Sequence, residues 1–130
     1  MKLFHIIITD DDADDQLIIR DAVKEFYRSH VHITTLNNGL ELVEYLQKNP
    51  ETTANAILLD INMPKMDGLE ALSRIKNGKH KNIPIYMLST LRTPERFDTS
   101  IKLGAKNFYT KPNDIKGYES VVKEIFEEAL

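Results

Sequence analysis

Ile6-Ile7-Ile8-Thr9-Asp10-Asp11 is an unbroken apolar run that ends abruptly in acid. It is too short to span a membrane, and it lacks the polar alternation of a strand with one wet face. It reads as a strand buried on both sides. Ile57-Leu58-Leu59-Asp60 repeats the pattern later in the chain. Working outward, runs rich in β-branched and aromatic residues occur at Leu3 to Thr9, Val31 to Leu36, Ala56 to Leu59, Pro84 to Ser89 and Asn107 to Thr110, with helical spacing between them.

The first helical stretch lines up Ile18, Ile19, Ala22, Val23 and Phe26. The second offers Leu40, Val43 and Leu46, opened by Asn37-Asn38-Gly39 and stopped before Pro50. The third carries Leu69, Leu72 and Ile75 after Asp67-Gly68, with Asp67 as its cap. In the fourth, Thr93 suits the cap and Pro94 the first helical position, with Phe97 and Ile101 one turn apart. The last presents Tyr118, Val122, Ile125 and Phe126. Five strands alternating with five helices predict an α/β domain, a doubly wound parallel sheet in the common order 2-1-3-4-5.

Bulk properties narrow the function. A chain of 130 residues, 42% hydrophobic and 28% charged, suits one globular domain. No linker divides it, so one domain over 1–130 with no output domain is expected. The net charge of −3 and the scattered basic residues argue weakly against nucleic-acid binding. The absence of cysteine removes disulfides, thiolate metal sites and thiol nucleophiles. No signal-peptide pattern or membrane span is visible, which makes a cytoplasmic location the default.

In an open α/β sheet, ligands bind beyond the carboxyl ends of the strands, where strand order reverses. Asp10, Asp11 and Asp12 follow strand one. Asp60 follows strand three, with Asn62 close behind. Ser89-Thr90 ends strand four and Thr110-Lys111-Pro112 ends strand five, while strand two ends blandly. Asp10, Asp11 and Asp60 would crowd three negative charges together; Lys111 offsets one. A cation preferring hard oxygen ligands would offset the rest, and Mg²⁺ fits because it accepts one or two carboxylates and keeps waters for substrate oxygens. Cation, ammonium, hydroxyl and nucleophilic carboxylate together suit a phosphoryl group.

Four stretches carry a resemblance: Ile6 through Asp11; Leu59-Asp60-Ile61-Asn62-Met63-Pro64-Lys65-Met66-Asp67-Gly68; Leu88-Ser89-Thr90; and Gly104-Ala105-Lys106 through Thr110-Lys111-Pro112. In these the chain resembles the receiver domains of two-component response regulators, of the stand-alone, chemotaxis-regulator-like kind, over essentially its whole length. The resemblance implies a flavodoxin-like fold and a phosphoryl group taken onto Asp60. It implies a Mg²⁺ ion, replaceable by Mn²⁺, held by Asp11, Asp60 and the backbone carbonyl of Asn62, with Asp10 acting mainly through water. Ser89 would bond the phosphoryl oxygens and Lys111 would pair with them, aimed by a cis Lys111–Pro112 bond. The switch aromatic corresponds to Phe108, which has no phenol to trade between solvent and a buried partner. Thr90 stands where alanine is common. Leu91 is apolar where some relatives position hydrolytic water, so slow self-dephosphorylation is predicted.

Blander roles fit other residues. Asp12, Asp14 and Asp15 read as a solvated helix start. Asp10, Asp12 and Asp14 mimic a calcium loop, but Asp15 and Asp21 stand where that loop needs glycine and glutamate. Gly68 and Gly104 suit turns and helix ends. His5, His30, His32 and His80 lack metal-ligand spacing and read as surface or strand filler.

The implied function is phosphorelay signalling without turnover of an external substrate. A sensor histidine kinase or histidine phosphotransfer protein would donate, and the fourth helix, fifth strand and fifth helix would meet a downstream protein, with no direct DNA or membrane contact. The Ser89-Thr90 pair and stand-alone form are similar to small receivers that partner sensor kinases, photoreceptor kinases among them. Two alternatives stand beside this reading. A phosphatase of the haloacid-dehalogenase kind also uses an aspartyl-phosphate, but needs an aspartate where Asn62 stands. A degenerate receiver would bind partners without phosphorylation, although every required side chain is present.

Overall fold

The computed structural model describes residues 3–27 and 30–129. In chain order the elements are β1 (Phe4–Thr9), α1 (Ala13–Tyr27), β2 (Val31–Leu36), α2 (Gly39–Lys48), β3 (Ala56–Leu59), α3 (Gly68–Lys76), β4 (Ile85–Ser89), α4 (Pro94–Lys102), β5 (Asn107–Thr110) and α5 (Ile115–Ala129). The strands form one sheet in the order β2-β1-β3-β4-β5, and every neighbouring pair is parallel. The expected fold class and strand order are both present.

Side chains of a strand point alternately to the two faces. Ile7, Ile57, Leu59, Ile85, Met87 and Phe108 therefore share one core with Leu42, Leu46, Leu72 and Ile75 of α2 and α3. Ile6, Ile8, Leu58, Tyr86 and Leu88 share the other with Ile19, Val23, Val122, Ile125 and Phe126 of α1 and α5. Each fully buried aliphatic side chain contributes about 1.5–3 kcal/mol. The apolar triplets of β1 and β3 are thus explained by two covered faces.

Caps set where the helices begin. Asp67 and Thr93 accept from the backbone N–H of Glu70 and Arg96, and Pro94 occupies the first turn, all as the sequence predicts. Asn38 accepts from Glu41 N–H, and Asp12 Oδ1 accepts from Asp14 and Asp15 N–H at 2.8 and 3.2 Å.

Three helical stripes differ from expectation. In α2, Leu42 is fully buried while Leu40 is 37% exposed. Gly39 explains the rotation: its N–H donates to Met66 O at 3.1 Å, and a Cβ there would meet the same oxygen at 2.5 Å. The helix is drawn against the β3–α3 loop by its glycine edge, so Gly39, Leu42 and Leu46 face inward. In α1, Phe26 is exposed at the far end, although its ring lies 5.3 Å from that of Phe126. In α4, Ile101 is exposed and Ser100 is the buried residue. Leu3 and Pro84 lie just outside their strands.

Candidate functional site

The carboxyl ends of β1, β3, β4 and β5 meet along one rim. Asp10, immediately after β1, is buried and its N–H donates to Leu36 O at 3.1 Å. Asp60, immediately after β3, is buried, donates its N–H to Thr9 O at 3.0 Å, and receives Ile61 N–H on Oδ1 at 2.8 Å. Sheet hydrogen bonds hold both backbones, so the two carboxylates project from rigid positions. Asp11 stands exposed beside them. One carboxylate oxygen from each of Asp10, Asp11 and Asp60 lies within 4.8 Å of the others. Three hard oxygen donors at that separation match a divalent metal ion.

Lys111 closes the cluster from β5. Its N–H donates to Ser89 O at 2.8 Å, extending the ladder between β4 and β5. Its Nζ reaches Asp10 Oδ2 at 2.9 Å, Asp15 Oδ2 at 2.8 Å and Asp60 Oδ2 at 3.2 Å, and its side chain is 8% exposed. The expected cis Lys111–Pro112 bond is not found; the peptide is trans. The ladder bond to Ser89 already fixes the Lys111 backbone, and its long side chain spans the remaining distance to the acids.

Burial and charge oppose each other here. Removal from water pushes the Asp10 carboxyl up to about 6, against the Asp12 N–H and Lys111, which favour its ionised form. Burial likewise raises Asp60, with Lys111 opposing. Burial disfavours the Lys111 charge, yet the bonds to Asp15 and Asp10 and the charges of Asp10 and Asp60 outweigh it and hold Lys111 above its ordinary value. Lys111 pairs with Asp10, Asp15 and Asp60 while Asp11 stands beside Asp10 and Asp60, so one ammonium leaves the rim with negative charge that a cation would offset.

Ser89, at the end of β4, is fully buried, and its hydroxyl has no hydrogen-bond partner among the described residues. A buried donor left in this way costs free energy and suits an oxyanion that arrives later. Phe108 pairs with Met87 across β4 and β5 and is buried in the core on the α2–α3 side. The loop after Asp60 folds back against the Asp60 and Ile61 backbone. A Cβ on Gly68 would stand 2.0 Å from Asp60 O, and Gly68 N–H donates to Ile61 O at 2.8 Å. Lys65 adopts a left-handed φ of 67° in the same loop. Asn62 is exposed there, and its Oδ1 accepts from Arg96 of α4 at 3.2 Å.

Two contributors escaped the sequence reading. Asp15, taken as a solvated helix residue, is a direct partner of Lys111. It sits one turn after the Asp12 cap, on a helix whose amino end opens on this rim, and that placement was the available signal. Gln16 donates through Nε2 to the carbonyls of Asp10 and Leu36 and to Asn37 Oδ1, tying β1 to β2 behind Asp10. Nothing in its spacing announces that role.

The sequence profile described as the response regulator receiver domain matches residues 6–123. Response regulator Rcp1 of Synechocystis sp. is 30% identical over 125 residues, covering 92% of this chain and 84% of Rcp1. The Mn²⁺-bound form of Rcp1 superposes with a TM-score of 0.82 at 28% identity, over 94% of this chain and 91% of that one. The phosphorylated cyanobacterial phytochrome response regulator RcpA gives a TM-score of 0.87 at 28% identity, over 96% and 92%. Two-component response regulator ARR17 of Arabidopsis thaliana is 30% identical over 127 residues, covering 90% of this chain and 81% of ARR17. Sequence, sheet order and the acids gathered at one rim converge on a single assignment: this chain belongs to the response regulator receiver domain family.

Proposed function

We propose that Asp60 is the phospho-acceptor of a phosphorelay and that Mg²⁺ is the cation serving it. The observation that carries this reading is the position of Lys111 Nζ, which bridges the Asp10 and Asp60 carboxylates on the rim where β4 ends in Ser89, whose buried hydroxyl has no hydrogen-bond partner among the described residues. An Asp60 oxygen would attack the phosphorus of a phosphohistidine on a sensor kinase or phosphotransfer protein. The P–O bond to Asp60 forms as the P–N bond breaks, and the imidazole leaves with its electron pair and takes up a proton. Lys111 and Ser89 would receive the phosphoryl oxygens. Asp10, Asp11, Asp60 and the Asn62 carbonyl would hold Mg²⁺, which supplies charge neutralisation at those oxygens. Mn²⁺ would substitute, in keeping with the Mn²⁺-bound form of Rcp1.

Phosphorylation then shifts a two-state equilibrium in α4, β5 and α5, read by a downstream protein. The likeness to a phytochrome response regulator supports a photoreceptor kinase as the donor to try first. Leu91, apolar, exposed and two residues past Ser89 in the chain, supports a long-lived phospho-form. The phosphatase alternative gains nothing, since the position that needs an acid holds the Asn62 amide, engaged by Arg96. Beryllofluoride with Mg²⁺ tests the reading: it should bind wild type with new chemical shifts at Ser89 and Lys111, and fail to bind Asp60→Asn. Equal binding by both proteins would overturn it.

A further inference from the structure

β1 presents cation chemistry at both of its ends. Asp10 and Asp11 follow its carboxyl end, and His5 stands near its amino end. The parallel register sets His5 directly beside His32 of β2, with ring centroids 4.6 Å apart and planes tilted by 44°. Strand alternation puts His32 and Thr34 on the same face of β2. Both imidazoles turn Nε2 toward the Thr34 hydroxyl, His5 at 2.9 Å and His32 at 3.5 Å. Two imidazole nitrogens therefore converge on one point that already has an oxygen donor. The His5 backbone is pinned from the other side, since its N–H donates to Asn55 Oδ1 at 2.8 Å and its carbonyl accepts from Asn55 N–H at 2.8 Å.

We propose that His5 and His32 form a second cation site, an open two-imidazole site for a borderline transition-metal ion of the Zn²⁺ class. The Thr34 hydroxyl and water complete its coordination. The two ends of the strand then differ in kind: carboxylate oxygens suit hard Mg²⁺, whereas imidazole nitrogen suits Zn²⁺, Ni²⁺ or Cu²⁺. Roughly 16 Å of extended strand separates them, so each can fill independently. Burial, then the neighbouring His32, holds the His5 imidazole below its usual 6.5, which keeps a ligand lone pair available at neutral pH. No sequence spacing shows this pair, because register alone joins residue 5 to residue 32.

The test uses the tag-free full chain, saturated with Mg²⁺ and titrated with Zn²⁺ by calorimetry and by NMR of the imidazole signals. One equivalent should bind, and the His5 and His32 ring signals should shift together. Loss of a ligand should cost no less than the roughly tenfold that loss of a supporting contact costs a metal site, so His5→Gln and His32→Gln should each weaken binding at least that much. His32 is exposed, so its substitution carries little folding cost, and unchanged phosphodonor labelling of His32→Gln verifies the fold. Asp60→Asn should retain the zinc affinity. Absence of saturable binding overturns the proposal. So does binding that survives both histidine substitutions and vanishes in Asp60→Asn.

Discussion

Asp10 holds the sharpest conflict between position and solvation. Its carboxyl is raised from 3.8 to about 6, so between those values the folded chain binds a proton that the unfolded chain releases. Stability from this group is therefore lost as pH rises through that window and regained as pH falls. In metal-free protein, Asp10→Asn should raise unfolding stability at pH 7 by about 1–2 kcal/mol, with the gain shrinking toward pH 4. Denaturant titration at the two pH values checks this, and a gain equal at both would refute the cause given. Mg²⁺ should shrink the difference by stabilising wild type, because a ligand of the folded state adds stability by mass action. Ser89 carries a smaller cost of the same sign. Its hydroxyl has no hydrogen-bond partner among the described residues, so Ser89→Ala should leave stability within about 0.5 kcal/mol or raise it slightly. Phosphorylation by a small donor should nevertheless slow, and unaltered labelling kinetics would remove Ser89 from the site.

Among the elements, α2 and α4 show where local sequence runs short. Leu40, Val43 and Leu46 satisfy helical spacing as well as Gly39, Leu42 and Leu46 do, so periodicity could not choose between the stripes. The choice came from contact with the β3–α3 loop, which only Gly39 can approach. Leu42→Ala should cost about 2–5 kcal/mol, whereas Leu40→Ala should cost under about 1 kcal/mol; thermal or denaturant unfolding separates them. Equal costs would mean that the helix is rotated differently. α4 buries Ser100 and leaves its apolar residues partly or largely exposed, whereas α5 buries Tyr118, Val121, Val122, Ile125 and Phe126. Amides of α4 should therefore exchange with deuterium faster than those of α5, as expected of an element that moves in a switch. Exchange as slow in α4 as in α5 would argue against it as the moving part.

For the molecule as a whole, what could be read from sequence followed what is local. Uninterrupted apolar triplets, caps at Asp67 and Thr93, and acids at strand ends are short-range signals, and the sheet order and the rim residues followed from them. Asp15, Gln16 and the His5–His32 pair depend on which surfaces the finished fold brings together, and no short-range pattern encodes that. The same rule explains the unmet cis bond at Pro112: Lys111 is aimed by its ladder partner and side-chain reach. No helix among the described residues is long and apolar enough to cross a membrane. The most direct measurement is intact mass after incubation with a small phosphodonor. With Mg²⁺ present, wild type should gain a single phosphoryl group, stable to repeated measurement and absent when the cation is chelated or Asp60 is changed to Asn. Labelling that persists in Asp60→Asn, or continuous release of inorganic phosphate with no stoichiometric label, would contradict the assignment of Asp60 as acceptor.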